Sequence, residues 1–186
     1  FGRSVLEVLR QPLEEKRVVV SRAKYSVEYP ANFTLVAAMN PCPCGYYNHP
    51  TRECTCSPGS VHRYMGRISG PLMDRIDLHV EVTPVAPQEL SAMAPGEPSA
   101  AIRERVVRAR EVQAERFRNT EGVHTNSMMN SAALREYCRL DAASAALLER
   151  AMERLSLSAR AYDRILKVAR TIADLAGRAD IVQADI

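Results

Sequence analysis

The sequence predicts an α/β unit followed by an all-α unit, and three observations carry that prediction. Residues 1–85 hold the β-branched runs and four of the five cysteines. Residues 86–98, APQELSAMAPGEP, bring together three prolines and a glycine and read as a linker. Residues 99–186 contain no proline and repeat their apolar residues at helical spacing.

Size and composition are consistent with this division. A chain of 186 residues, 46% hydrophobic and 25% charged, suits one ordinary globular domain or two small ones sharing a surface. No apolar run approaches the roughly 20 residues that span a bilayer. Acidic residues interrupt the N-terminal stretch FGRSVLEVLRQPLEEK, so it does not read as a secretory signal. A cytoplasmic protein with no membrane partner is expected. The chain opens on Phe1 inside a helical pattern, which reads as a piece excised from a longer protein. Its net charge of +3 is too mild to establish nucleic-acid binding. Of the 25 basic residues 22 are arginine, the better bidentate partner for phosphate, although a G+C-rich genome produces the same bias.

In order along the first half, Ser4 is placed to cap a short helix with Val5, Leu6, Leu9 and Leu13 on one face, kinked or ended by Pro12. RVVVS (17–21) and YSVEY (25–29) flank a polar turn and predict a β-hairpin. FTLVAAM (33–39) is a near-continuous apolar run, as in a strand buried on both faces of a parallel sheet. Residues 60–74 look helical, and DLHVEV (77–82) alternates as a further strand. The second half predicts four helices. The first, 99–117, is expected to bury Ile102, Val106, Ala109 and Phe117 and to expose its arginines. A short one follows at 130–140. The third, 141–155, starts at an Asp cap, and the fourth starts at Ser158 and stops at Gly177. The terminal DIVQADI predicts the beginning of a fifth.

The sharpest chemical signal is Cys42-Pro-Cys44 and Cys54-Thr-Cys56. Four thiolates satisfy a tetrahedral Zn²⁺, and the polar loop GYYNHPTRE between the pairs has no core of its own to order it. Disulfides, free thiols and an iron–sulfur cluster are the alternatives, and His49 is a substitute ligand. Cys138, alone in a helical pattern, reads as a small buried hydrophobe. Asn40 ends the apolar run, the edge at which α/β sheets bind ligands, but a turn residue before Pro41 explains it as well. Arg75 precedes the strand at 77, where a phosphate contact competes with a salt bridge to Asp74 or Asp77. Arg22 and Lys24 at the hairpin tip suit a nucleic-acid backbone, yet exposed tips are often basic without function. No Gly-rich phosphate loop, Ser/His/Asp set or facing carboxylate pair is visible, because Glu14 and Glu15 are adjacent on a helix and point apart.

In order, LRQPLEEKRVVVSRAKYSVEYPANFTLVAAMNPCPCG, SGPLMDRIDLHVEV and LSARAYDRILKVARTIADL resemble the magnesium-chelatase-like AAA+ ATPases of the competence-associated YifB/ComM group. The resemblance covers essentially the whole chain. It implies the C-terminal half of a P-loop ATPase core, with its β-hairpin insertion and Cys-rich loop over 1–85, the linker 86–98 and a helical lid over 99–186, starting just after the Walker B acids. It implies ATP and Mg²⁺ as cofactors, while structural Zn²⁺ on Cys42, Cys44, Cys54 and Cys56 is the expectation from their spacing, in a cysteine loop that the wider chelatase relatives lack. Asn40 matches the sensor 1 position and Arg75 the arginine finger that acts on a neighbouring subunit. Arg160 matches sensor 2, with Arg164 one turn on as the alternative. Arg22, then Lys24, are the DNA-contacting cations of the pore hairpin. The implied activity is a ring-forming, hexameric ATPase driving helicase or branch-migration work on branched or single-stranded DNA during natural transformation. A chelatase-type motor that remodels a metal-insertion partner is the first alternative, and a zinc-stabilised binding module the second.

Overall fold

The computed structural model describes residues 2–85 and 94–186. It divides into two compact units, Phe1–Val85 and Ala86–Ile186. Residues 86–93, most of the expected linker, lie outside the described residues.

The first unit opens with two short helices, α1 (Arg3–Val8) and α2 (Arg10–Glu15), where one helix kinked or ended by Pro12 was expected. Proline explains the break. Pro12 has no N–H to donate to the carbonyl of Val8, so the ladder restarts with Leu13 N–H on Leu9 O at 3.1 Å. Gly2, not Ser4, occupies the first N-cap. Lys16 then turns the chain in a left-handed conformation, φ 57°, into the predicted hairpin. Strands β1 (Arg17–Arg22) and β2 (Tyr25–Pro30) pair antiparallel from Arg17↔Pro30 to Arg22↔Tyr25, leaving Ala23 and Lys24 as the turn. Arg17 donates to Glu28 across the ladder at 2.6 Å, and Ser21 and Ser26 share a hydrogen bond at 2.9 Å.

That hairpin is the one sheet among the described residues, and here the expected parallel sheet is corrected. Residues 33–39 and 77–82 form no ladder, and Val36 is 90% exposed. A central strand needs a hydrogen-bonding neighbour on each edge. An apolar run states the demand for burial without naming the segment that meets it. The stretch expected as one helix over 60–74 is two: α3 (Pro58–Met65), capped by Ser57, and α4 (Gly70–Met73), capped by Ser69. Each carries proline in its first turn, where the missing N–H leaves no helical bond unmade.

The second unit consists of α5 (Ser99–Arg116), α6 (Ser131–Tyr137), α7 (Ala142–Arg154) and α8 (Ala159–Leu175), with 3₁₀ turns at Asn126–Met128 and Gln183–Asp185. The expected fifth helix is only that last turn. Side-chain caps from Asn130, Asp141 and Ser158 start α6, α7 and α8. Gly177, φ 68°, ends α8 in a Schellman turn: Arg178 N–H bonds Ala173 O at 2.9 Å and Gly177 N–H bonds Asp174 O at 3.0 Å. The core packs Phe117, Met129, Leu134, Leu148, Leu166 and Ile181 around Ala169 and Ala173 of α8, which are fully buried. Ile102 and Val106, expected inside, are exposed, because only the C-terminal half of α5 reaches this core.

Nor does α5 expose all its arginines. Arg116 grips Asp174 with both terminal nitrogens, at 2.7 and 2.5 Å, and donates to Asn126 at 2.8 Å. Arg170, 3% exposed, donates to the same carboxylate at 3.1 Å and to the carbonyls of Ala179 and Arg178 at 2.6 and 2.7 Å. Asn126 completes the network by donating to Asp174 at 2.8 Å. One buried carboxylate thus ties α5, the first 3₁₀ turn, α8 and the C-terminal segment together, and fixes the helix that carries Arg160 and Arg164.

Candidate functional site

The cysteine pairs converge as their spacing predicts. The sulfurs of Cys42, Cys44, Cys54 and Cys56 all lie within 4.8 Å of one another. Cys42–Cys44, Cys44–Cys54 and Cys42–Cys54 stand at 3.3, 3.6 and 3.7 Å. Thiolates around one tetrahedral ion at a metal–sulfur distance of about 2.3 Å are separated by about 3.8 Å, so this donor set fits a single metal ion. A disulfide needs sulfurs about 2.05 Å apart, and all five cysteines are free.

The backbone prepares the cluster for negative charge. Gly45, φ 84°, closes a turn on Cys42 O at 3.0 Å, a conformation that glycine adopts without strain. The turn aims Tyr47 N–H at Cys42 Sγ, 3.3 Å away. Tyr46 N–H on its sulfur lowers the Cys44 thiol to about 5 against the opposing effect of burial. Cys54 takes the opposite part. The Cys56 amide pulls it down, but burial and the neighbouring sulfurs together push it up to about 12. Four crowded sulfurs cannot all hold negative charge without a cation among them. His49 stands outside the four-sulfur group, and its Nδ1 accepts from the amides of Thr51 and Arg52 at 3.2 and 3.1 Å and so shapes the loop. Cys138 is buried in the helical core, where desolvation raises it to about 11, as expected of an inert hydrophobe.

The remaining sites fall on both units. Asn40 is exposed in irregular backbone just before the cysteine turn, and not at a sheet edge as expected. Arg75 follows α4 with its side chain 11% exposed. It donates to Pro71 O at 2.5 Å and pairs with Glu14 of α2, not with Asp74 or Asp77. Sixty-one residues separate those partners, so only folding could reveal the pair. Arg22 and Lys24 are exposed at the hairpin end and form no ion pair with any described residue. In the second unit, Arg160 is exposed in the first turn of α8, and Arg164 is half-buried one turn later. Sequence reasoning missed the Arg116–Asn126–Arg170–Asp174 network, whose members are spread over α5, a 3₁₀ turn and α8 with no local pattern.

Residues 1–90 match the family described as magnesium chelatase, subunit ChlI, and residues 96–186 match the ChlI C-terminal family. The chain belongs to this magnesium-chelatase-like family. Within it, the chain is 46% identical to the competence protein ComM of Haemophilus influenzae over 185 residues, covering 98% of the chain and 35% of that protein. It is 42% identical to the YifB protein of Escherichia coli over 98% of the chain and 35% of that protein. It is 41% identical to YifB of Salmonella typhimurium over 94% of the chain and 33% of that protein. The chain spans about a third of the length of these relatives. No helix among the described residues is long and apolar enough to cross a membrane.

Proposed function

We propose that this chain is part of a cytoplasmic, ring-forming AAA+ ATPase that couples ATP hydrolysis to helicase or branch-migration work on DNA. The observation that carries the reading is the 46% identity to a competence protein over 98% of the chain, a name that points to DNA. The exposed hairpin supports it, since Arg22 and Lys24 stand at its end on an antiparallel ribbon, free to meet phosphates.

In this reading Asn40 is the sensor 1 residue. Its amide both donates and accepts, so it can orient the attacking water while touching a phosphate oxygen. Arg75 is the finger that reaches the neighbour's γ-phosphate, a contribution of about 10³–10⁵ in rate. To act there it exchanges the Glu14 carboxylate for phosphoryl oxygens. Arg160, with Arg164 as the alternative, contacts the nucleotide from a helical lid formed by 99–186. The assembly is a hexamer, because a finger in trans requires a neighbour. ATP with Mg²⁺ supplies the reacting phosphoryl group. This sequence has no Gly-rich loop to hold that triphosphate, so the chain alone is expected not to turn ATP over. The sulfur cluster holds a structural Zn²⁺ that orders residues 41–57 and takes no part in catalysis.

ATP hydrolysis by the protein at the full length of its relatives, with and without branched DNA, tests the reading. Several-fold stimulation by the junction is expected, together with loss of hydrolysis but not of ATP binding in Arg75→Ala. Basal turnover indifferent to DNA overturns the DNA reading. It favours the second one, a chelatase-type motor acting on a protein partner, to which the ChlI match points.

A further inference from the structure

Beside the sulfur cluster lies an open groove of about 310 Å³ lined by Pro43, Ser60, Arg63, Tyr64 and Arg67. None of these residues is acidic. Most arginines whose contacts are described here pair with a carboxylate, as Arg17, Arg75, Arg105 and Arg116 do. Arg63 and Arg67 are exposed and have no ionic partner among the described residues. The Arg67 guanidinium lies 5.7 Å over the Tyr64 ring, which holds the ring half-buried in the groove. The cysteine loop makes a similar pairing at Arg52, 5.2 Å over the Tyr46 ring and donating to its hydroxyl at 2.7 Å.

The walls are fixed from both sides. Pro43 sits between two of the sulfurs, and the helix α3 that carries Ser60, Arg63 and Tyr64 is capped by Ser57, directly after Cys56. Two guanidinium groups without an ionic partner among the described residues present planar, bidentate donors of the kind that phosphodiesters accept. The half-buried Tyr64 ring, with the Arg67 guanidinium over it, gives the same groove an aromatic wall against which an unpaired base can stack. We propose that this groove is a second nucleic-acid contact, taking the backbone and one stacked base of a single DNA strand. The proposal rests on the DNA reading above and adds to it a site distinct from the hairpin.

The test is fluorescence anisotropy of a labelled oligo(dT) of about 16 nucleotides with the zinc-loaded chain, over a series of salt concentrations. Arg63→Ala with Arg67→Ala is expected to weaken binding about tenfold and to flatten the salt dependence by about 1.4, the loss of two phosphate contacts on a single strand. Tyr64→Leu should weaken binding about five- to a hundredfold with the salt slope unchanged, since it removes stacking and no charge. Arg63→Lys with Arg67→Lys should restore the slope, which separates lost charge from lost folding. Unchanged affinity in the groove variants, with loss in Arg22→Ala/Lys24→Ala, overturns the groove and leaves the DNA reading intact. No binding of oligo(dT) by the parent chain also overturns the groove, while junction-stimulated ATP hydrolysis continues to judge the DNA reading by itself.

Discussion

Asp174 shows how much one residue can hold. Burial alone would raise its carboxyl, but hydrogen bonds from Arg116 and Asn126 and the charges of Arg116 and Arg170 outweigh that and keep it below its ordinary 3.8. A folded value below the unfolded one stabilises the native state wherever Asp174 is ionised. The contribution is complete above the unfolded value and disappears as pH falls below 3.8 through the folded one. Acid titration followed by circular dichroism should therefore show the helical unit weakening below about pH 4, with Asp174→Asn blunting that acid response. At neutral pH, Asp174→Ala leaves Arg116 and Arg170 partly or fully buried without their shared partner, an expected loss of about 3–5 kcal/mol in urea denaturation. Leu148, 1% exposed, belongs to the same unit, and Leu148→Ala should cost about 2–5 kcal/mol by the same measurement.

At the scale of elements, the caps account for where helices begin and end. Asn130 accepts from the amides of Ala132 and Ala133 at 3.1 and 3.0 Å, satisfying donors that α6 itself cannot. Replacing it by Ala should destabilise the helical unit by about 1 kcal/mol, read as a shift of the urea midpoint without a change of slope. The caps at Asp141 and Ser158 and the stop at Gly177 were legible because cap chemistry is local: one side chain serves amides two or three residues away. The break at Leu9 was half-legible. Pro12 announces a missing donor, but whether the chain kinks or restarts depends on what α1 and α2 pack against. Ile102 and Val106 show the opposite limit, since a helix can present an apolar stripe for longer than the core it meets.

For the molecule as a whole, the two units differ in what orders them. The helical unit has a contiguous apolar core. In the first unit, the buried apolar side chains are few, Cys42, Val61 and Leu72 among them, so a metal held by the four cysteines would contribute a larger share of its order. If the proposed ion is there, its chelation, or its displacement by a mercurial, should loosen residues 41–57 and change the near-ultraviolet signal of Tyr46 and Tyr47. The helical far-ultraviolet signal of 99–175 should persist, and its collapse on chelation would show that the two units do not hold their structure independently.

The cysteine cluster, the hairpin and the capped helices α6, α7 and α8 could be written down from the residues alone. Each is made by groups close together in the chain, where spacing is already geometry. The Arg75–Glu14 pair, the carboxylate shared by Arg116 and Arg170, and the lack of a β-ladder over residues 33–39 and 77–82 could not. Composition specifies that an arginine wants an anion and an apolar strand wants a neighbour. Which anion and which neighbour depend on segments far apart in sequence, and only their packing in three dimensions brings those together.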